Sequence, residues 1–313
     1  MKSPSPNLVS ELAPPANRSS HEVTIEKVIG HSFRRVQDTL AVEEPLEIQL
    51  AHGAIGARSV KSISVTMRTP GDDFDLAAGF LMTEGVVRDS NDIEQIVYAA
   101  SSIGEASRES EETHSALPYQ PGKNVVRVEL APDVVVSLAN LERNFYTTSS
   151  CGICGKASLL ALQTVCPPRR KNIFQIEADT LTRLPDRLRE AQSLFNLTGG
   201  IHGAGLFNSE GELLGVKEDV GRHNAVDKLL GAEFLADRTP LRQALLLLSG
   251  RASFELLQKA LMGGVSMVAC VGAPSSLAVQ VAIDFDIILV GFLRDNHFNI
   301  YHGAKHILGH SAD

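Results

Sequence analysis

The stretch "ALLLLSGRASFELLQKALMGGVSMVACV", residues 244–271, decides the fold. Two short and almost wholly apolar runs, 244–249 and 265–271, bracket a segment, "FELLQKALM" (254–262), of helical length and spacing. Strands that read as continuous apolar runs are buried on both faces, and a helix of about ten residues between them is the crossover that parallel pairing requires. The pattern continues as helix "SLAVQVAI" (276–283) and strand "DIILVGFL" (286–293). Upstream it begins with helix "LPDRLREAQSLFNL" (184–197), strand-like "GAGLFN" and "ELLGVKEDV", and a helix through Leu230. These elements predict a three-layer α/β domain with a partly parallel sheet over residues 146–313.

The first half has another texture. Three β-like runs, "EVTIEKV", "EPLEIQLA" and "KSISVTMRT", lie within residues 22–68. After the turn "TPGDD" comes "FDLAAGFLMTEG" (74–85), where Leu76, Phe80 and Leu81 recur at helical spacing before Gly85 ends the run. A strand at 92–99 and "NVVRVEL" complete a smaller β-rich domain over residues 21–145. The polar segment 101–123 reads as a long exposed loop, and residues 1–20, rich in Pro, Ser and Asn, as a disordered tail with no signal peptide. No solenoid-length repeat occurs.

Composition narrows the function. The 313 residues carry a net charge of −8, which opposes broad attraction to nucleic acid or an anionic membrane. The apolar runs fall well short of the ~20 residues that span a bilayer. Four cysteines, only two of them close together, do not make a secreted disulfide framework, so a cytoplasmic protein is expected.

The close pair, Cys151 and Cys154, lies in "TSSCGICGKASLLAL" (148–162), a Gly- and Ser-rich turn running into a helix. A structural zinc site wants four ligands and there is no second C-x-x-C. Zinc deaminases need an H-x-E, which occurs nowhere in the chain. A thioredoxin-like pair belongs near the start of a small domain, whereas this one falls between two regions. Buried structural cysteines fit poorly among Gly, Ser and Lys. A mobile nucleophilic dithiol remains, and no metal site is expected. A thiolate at a helix N-terminus with Lys156 nearby can attack sulfane sulfur to give a persulfide, which the second thiol can resolve.

Three further segments are candidates. The glycines 199, 200, 203 and 205 around His202 allow close approach of a ligand or simply mark a glycine-rich strand edge. Lys217, Glu218, Asp219, Arg222, His223, Asn224, Asp227 and Lys228 crowd one strand-to-helix junction; such a run is often a solvated face, yet open α/β sheets bind ligands there. In "GFLRDNHFNIYHG" (291–303), Arg294, Asp295, Asn296 and His297 suit a purine edge and phosphate, with Phe292 and Phe298 for stacking, while a plain hairpin turn explains the segment equally.

Taken in order, "TPGDDFDLAAGFLMTEG", "SSCGICGKASL", "GGIHGAGLF", "KEDVGRHNAVDKLLG", "SGRASFEL" and "GFLRDNHFNIY" resemble the formate dehydrogenase accessory sulfurtransferase family, FdhD, across residues 69 to about 302. The resemblance implies a cytidine-deaminase-like second domain and a sulfurtransferase. It implies a sulfur carrier that takes sulfur from a cysteine desulfurase and passes it to the molybdenum bis-molybdopterin guanine dinucleotide cofactor before insertion into formate dehydrogenase. It implies Cys151 as the persulfide-bearing residue, Cys154 as its companion, and Phe292, Leu293, Arg294, Asp295, Asn296 and His297 as a cofactor-binding segment. His202, Lys217, Asp219, Arg222 and His223 complete the candidate binding set. Because the cofactor has two guanine nucleotides and the chain one set of motifs, a homodimer is expected. A cofactor-binding chaperone and a thiol–disulfide oxidoreductase are the alternatives.

Overall fold

The computed structural model describes residues 19–99, 124–134, 136 and 173–309. An antiparallel ribbon, β1 (Ser20–Ile29) and β2 (Ser32–Ala41), comes first. β3 (Glu44–His52), β4 (Ser59–Arg68), β5 (Ile93–Tyr98) and β6 (Val125–Leu130) form a four-stranded sheet in the order β4-β3-β6-β5, and α1 (Asp73–Thr83) follows β4. The sequence patterns placed these strands and α1 within a residue or two, but missed β2. Its run "SFRRVQDTLA" has little apolar alternation because most of the ribbon is exposed.

The second sheet has six strands. β7 (Ile176–Glu177), α2 (Ala178–Ala191) and α3 (Ser193–Thr198) lead into β8 (His202–Phe207) and β9 (Leu213–Asp219). Then come α4 (Arg222–Leu235), β10 (Leu245–Leu248), α5 (Phe254–Met262), β11 (Met267–Cys270), α6 (Ser276–Asp284), β12 (Ile288–Arg294), β13 (His297–His302) and β14 (Ile307–Leu308). The order is β13-β12-β11-β10-β8-β9, with β10, β11 and β12 mutually parallel as the apolar runs and crossover helices predicted.

Alternation along these strands builds both faces. Leu245, Leu247, Met267, Ala269, Ile288 and Val290 pack with Phe174, Leu181, Leu184 and Leu188 on one side. Leu246, Leu248, Val268, Cys270 and Leu289 pack on the other with residues of α4, α5 and α6. That second cluster continues through Leu76 and Leu81 of α1 to Leu46, Ile48, Val126 and Val128 of the four-stranded sheet, so one core joins the two sheets. The expected boundary near residue 145 lies outside the described residues.

The single helix expected over 184–197 is two, α2, which begins six residues earlier, and α3, separated from it at Gln192. Pro185 is favoured in a first turn, which points to a start at Leu184, but the helix starts at Ala178 and carries Pro185 in its interior. Burial of Leu181, Leu184 and Leu188, one i, i+3, i+7 stripe, holds it despite the lost hydrogen bond.

Helices α1 and α4 meet at Gly79 and Gly231. A Cβ at Gly231 would lie 1.9 Å from the carbonyl oxygen of Asp75, and one at Gly79 1.9 Å from that of Asp227. Only glycine lets the two backbones touch. Near this contact Asp227 of α4 and Thr83 of α1 are buried together with Lys259 of α5, and they are paired as burial demands. Lys259 Nζ lies 2.9 Å from Asp227 Oδ2 and donates to Thr83 Oγ1 at 3.0 Å, while Thr83 Oγ1 donates to Asp227 Oδ1 at 2.8 Å.

Candidate functional site

The carboxyl ends of β10, β11 and β12 face one edge of the six-stranded sheet. The start of β8 and the end of β9 reach the same edge because β8 runs antiparallel to both neighbours. Backbone hydrogen bonds carry the pairing past the strands: Ser249 N to Gly203 O (3.0 Å), Gly272 N to Gly250 O (3.0 Å) and Phe292 N to Gly272 O (2.9 Å). These bonds tie the segments after the strands to one another. This is where open parallel sheets place ligands.

His202 opens β8 and is half-buried beside Gly250; a Cβ at Gly250 would lie 3.5 Å from its ring. Burial, and then the positive fields of Arg222 and His223, hold its pKa below the ordinary histidine value, against the pull of Asp219. Arg222 and His223 begin α4, and His223 Nε2 lies 2.9 Å from Glu255 Oε2 in the first turn of α5. That close contact is the main reason the Glu255 carboxyl is held below its usual range.

The segment 291–303 is a β-hairpin. Asp295 and Asn296 have φ of 50° and 57°, the two left-handed residues of a two-residue turn, and Arg294 pairs with His297. β12 continues four residues past its last pairing with β11, at Val290, so the tip projects beyond the end of β11. Arg294, Asp295, Asn296 and His297 are exposed there. Leu293 instead points into the core and is fully buried. Phe292, with φ of 54°, holds a conformation that a bulky side chain avoids at a cost of about 1–2 kcal/mol. A bulge between Gly291 and Arg294 sustains it.

The charged run separates into two groups. Arg222 and His223 reach the edge, whereas Lys217, Asp219, Asn224, Asp227 and Lys228 tie the chain together internally. Lys217 Nζ lies 2.7 Å from both Asp72 Oδ1 and Asp75 Oδ2; burial disfavours its charge, but these two bonds hold its pKa above the ordinary value. Asp219 is wholly buried and accepts from Thr69 N (3.1 Å), Gly221 N (2.8 Å) and Asn224 Nδ2 (3.1 Å), with Lys228 Nζ 2.7 Å away. Glu218 caps α3, accepting from Leu194 N and Phe195 N at 2.9 and 2.8 Å.

The glycines beside His202 serve protein packing. A Cβ at Gly203 would meet the Gln192 side chain at 2.4 Å, and one at Gly205 would meet Leu188 and Phe207 at 2.9 Å. The sequence reading did not single out Arg251 and Glu255. Their signal is position: "SGRASFE" directly follows the apolar strand β10, at the ligand-binding end of a parallel sheet.

Cys151, Cys154 and Cys166 lie outside the described residues. Cys270 ends β11, fully buried, and burial pushes its thiol up to about 11. It is unsuited to nucleophilic work. Among the described residues no group of three or more His, Cys, Asp or Glu is placed to hold a metal ion, and no helix is long and apolar enough to cross a membrane.

Comparison with known proteins bears on this edge. A protein called sulfur carrier protein FdhD from Streptomyces avermitilis is 50% identical over 277 residues, covering 86% of this chain and 89% of the relative. Proteins of the same name from Mycobacterium tuberculosis and Saccharolobus solfataricus are 47% and 35% identical, covering 93% and 86% of this chain and 98% and 91% of their own. A crystal structure of a candidate formate dehydrogenase accessory protein from Desulfotalea psychrophila superposes with a TM-score of 0.66 at 21% identity, covering 92% of this chain and 99% of its own. It shares the fold. A family model for the FdhD/NarQ family matches residues 41–308, which contain both sheets and every residue of the edge, and the chain belongs to that family.

Proposed function

We propose that this protein is a sulfur carrier serving formate dehydrogenase, and that the sheet edge around Arg222, His223 and the 292–297 hairpin binds the phosphate-bearing end of the cofactor that receives the sulfur. The observation that supports the reading is that Arg222, His223, His202 and Arg251 lie in segments at the carboxyl end of three parallel strands, with Arg294 on the exposed hairpin beyond them, in a chain whose relatives bear the sulfur carrier name. A cationic edge with an adaptable polar hairpin above it fits a guanine nucleotide, the acceptor being the molybdenum bis-molybdopterin guanine dinucleotide cofactor. We read Lys217, paired with Asp72 and Asp75, and buried Asp219, paired with Lys228, as framework rather than ligand.

The chemistry rests on Cys151 and Cys154. The Cys151 thiolate attacks the terminal sulfur of a persulfide on a cysteine desulfurase, whose own cysteine leaves as thiolate. Cys154 then attacks Sγ of Cys151 and the terminal sulfur departs as sulfide to the acceptor. The two cysteines are oxidised to a disulfide as the sulfane sulfur is reduced, and a dithiol reductant restores them. Two copies of the chain would present two nucleotide sites to a cofactor with two like ends.

The test is mass spectrometry of the purified protein after exposure to a cysteine desulfurase and cysteine. One added sulfur on the Cys151 peptide, absent in Cys151→Ala, is expected. An unmodified Cys151 peptide would leave a cofactor-binding chaperone as the better reading.

A further inference from the structure

We propose that Glu255 is a carboxylate latch on the nucleotide edge: it competes with phosphate oxygens for His223 and gives way when a phosphate group enters. The proposal rests on the nucleotide reading above and adds how the edge lets its ligand go. Helices α4 and α5 meet through two charged contacts one helical turn apart. His223 and Asp227 are four residues apart on α4, and Glu255 and Lys259 are four apart on α5. The outer contact sets His223 Nε2 2.9 Å from Glu255 Oε2, and the inner one sets Lys259 Nζ 2.9 Å from Asp227 Oδ2. The inner pair is buried and closed by Thr83, which hydrogen-bonds to both, so it holds the two helices together by itself. The Glu255 side chain is 56% exposed, and an ion pair of that kind opens into water at little cost.

The outer contact is also incomplete. Its distance is short, yet its direction misses a hydrogen bond, and His223 Nε2 is a buried atom with no hydrogen-bond partner. Leaving such an atom unpaired is unfavourable, and an oxygen arriving from another direction satisfies it when the ring carries a proton there. Charge makes the two anions rivals. Glu255 stays ionised, since the contact with His223, followed by the fields of Arg222 and Lys259, holds its carboxyl below the usual range against the effect of burial. Glu84, at the end of α1, is the like charge that faces it. A phosphate group approaching Arg222 and His223 is repelled by the same carboxylate until it turns away. The other carboxylates near this end of the sheet do not compete. Asp219 is buried among its N–H donors, Glu218 caps α3, and Asp295 stands on the exposed hairpin tip. A carrier must hand its cargo on, and a carboxylate that returns to His223 speeds release.

The test is calorimetry and stopped-flow dissociation of the full chain with GDP and with guanosine. The parent is compared with Glu255→Gln, Glu210→Gln, His223→Ala and the Glu255→Gln/His223→Ala double variant. Glutamine keeps the shape of the side chain and removes its charge. Glu210 is exposed in the β8–β9 turn, at the other end of β8 from His202, and controls for net charge. Glu255→Gln should tighten GDP binding at least about threefold, mainly through slower dissociation, and leave guanosine binding unchanged. Glu210→Gln should bind GDP like the parent, and the gain should vanish in the His223→Ala background. When the parent binds GDP, an affinity that Glu255→Gln leaves unchanged or weakens overturns the latch alone. So does an equal gain in Glu210→Gln, or a gain that survives His223→Ala. If neither the parent nor Glu255→Gln binds GDP, the nucleotide reading falls and the latch with it.

Discussion

Lys228→Met tests whether the buried charges of the junction are framework. Lys228 is 1% exposed, and its ammonium lies 2.7 Å from Asp219 Oδ2 and donates to Thr69 O at 2.8 Å. Methionine keeps the length of the side chain and removes the charge, leaving the Asp219 carboxylate buried without a countercharge. Orphaning one partner of a buried pair costs about 3–5 kcal/mol. Asp219 retains its three N–H donors from Thr69, Gly221 and Asn224, which places the loss near the lower end, at about 3 kcal/mol. The Thr69 carbonyl loses a donor as well, roughly 1 kcal/mol more. Urea unfolding followed by circular dichroism should therefore show a loss of about 3–4 kcal/mol, and guanine-nucleotide affinity should fall because Arg222 and His223 start the same helix. Asp219→Asn combined with Lys228→Met removes both charges and should recover part of the loss, giving a coupling energy of at least about 1 kcal/mol. A single-variant loss below about 1 kcal/mol, or additive effects in the double variant, would refute the argument.

Gly231→Ala should destabilise by several kcal/mol in the same assay, because its Cβ meets the Asp75 carbonyl at 1.9 Å and two backbones must part. Gly215→Ala, whose nearest atom is the flexible end of Leu229 at 3.3 Å, should stay within about 1 kcal/mol of the parent. Arg294→Ala should weaken guanine-nucleotide binding about tenfold by calorimetry with unchanged melting, since the side chain is 55% exposed, whereas Leu293→Ala should cost about 2–5 kcal/mol of stability. His202 has a folded pKa below its ordinary value, so its contribution to stability is present above about pH 6.5 and is lost as pH falls through the depressed value. Unfolding free energies between about pH 7.5 and 5.5 should show that loss, and His202→Asn should remove it; an unchanged slope in the variant would show that other groups carry it.

Local signals in the sequence determined much of this protein. Apolar runs such as Leu245–Leu248 and Met267–Cys270 specify strands buried on both faces wherever they occur, because period-two alternation sends every residue into one core or the other. The intervening helices, the parallel pairing and the location of the candidate edge at the carboxyl ends of the strands follow from the same pattern. The six motifs also sufficed to indicate the family. Tertiary structure alone decided which residues of the charged run face solvent and which face inward. Asp219 and Arg222 are three positions apart and equally polar, yet one is sealed against Thr69 and Lys228 while the other opens a helix at the edge. Likewise the glycines at 79 and 231 are separated by 152 positions in sequence and act as one contact. No local pattern encodes such pairings, because the partner of a buried charge or of a missing Cβ is set by which elements the shared core brings together.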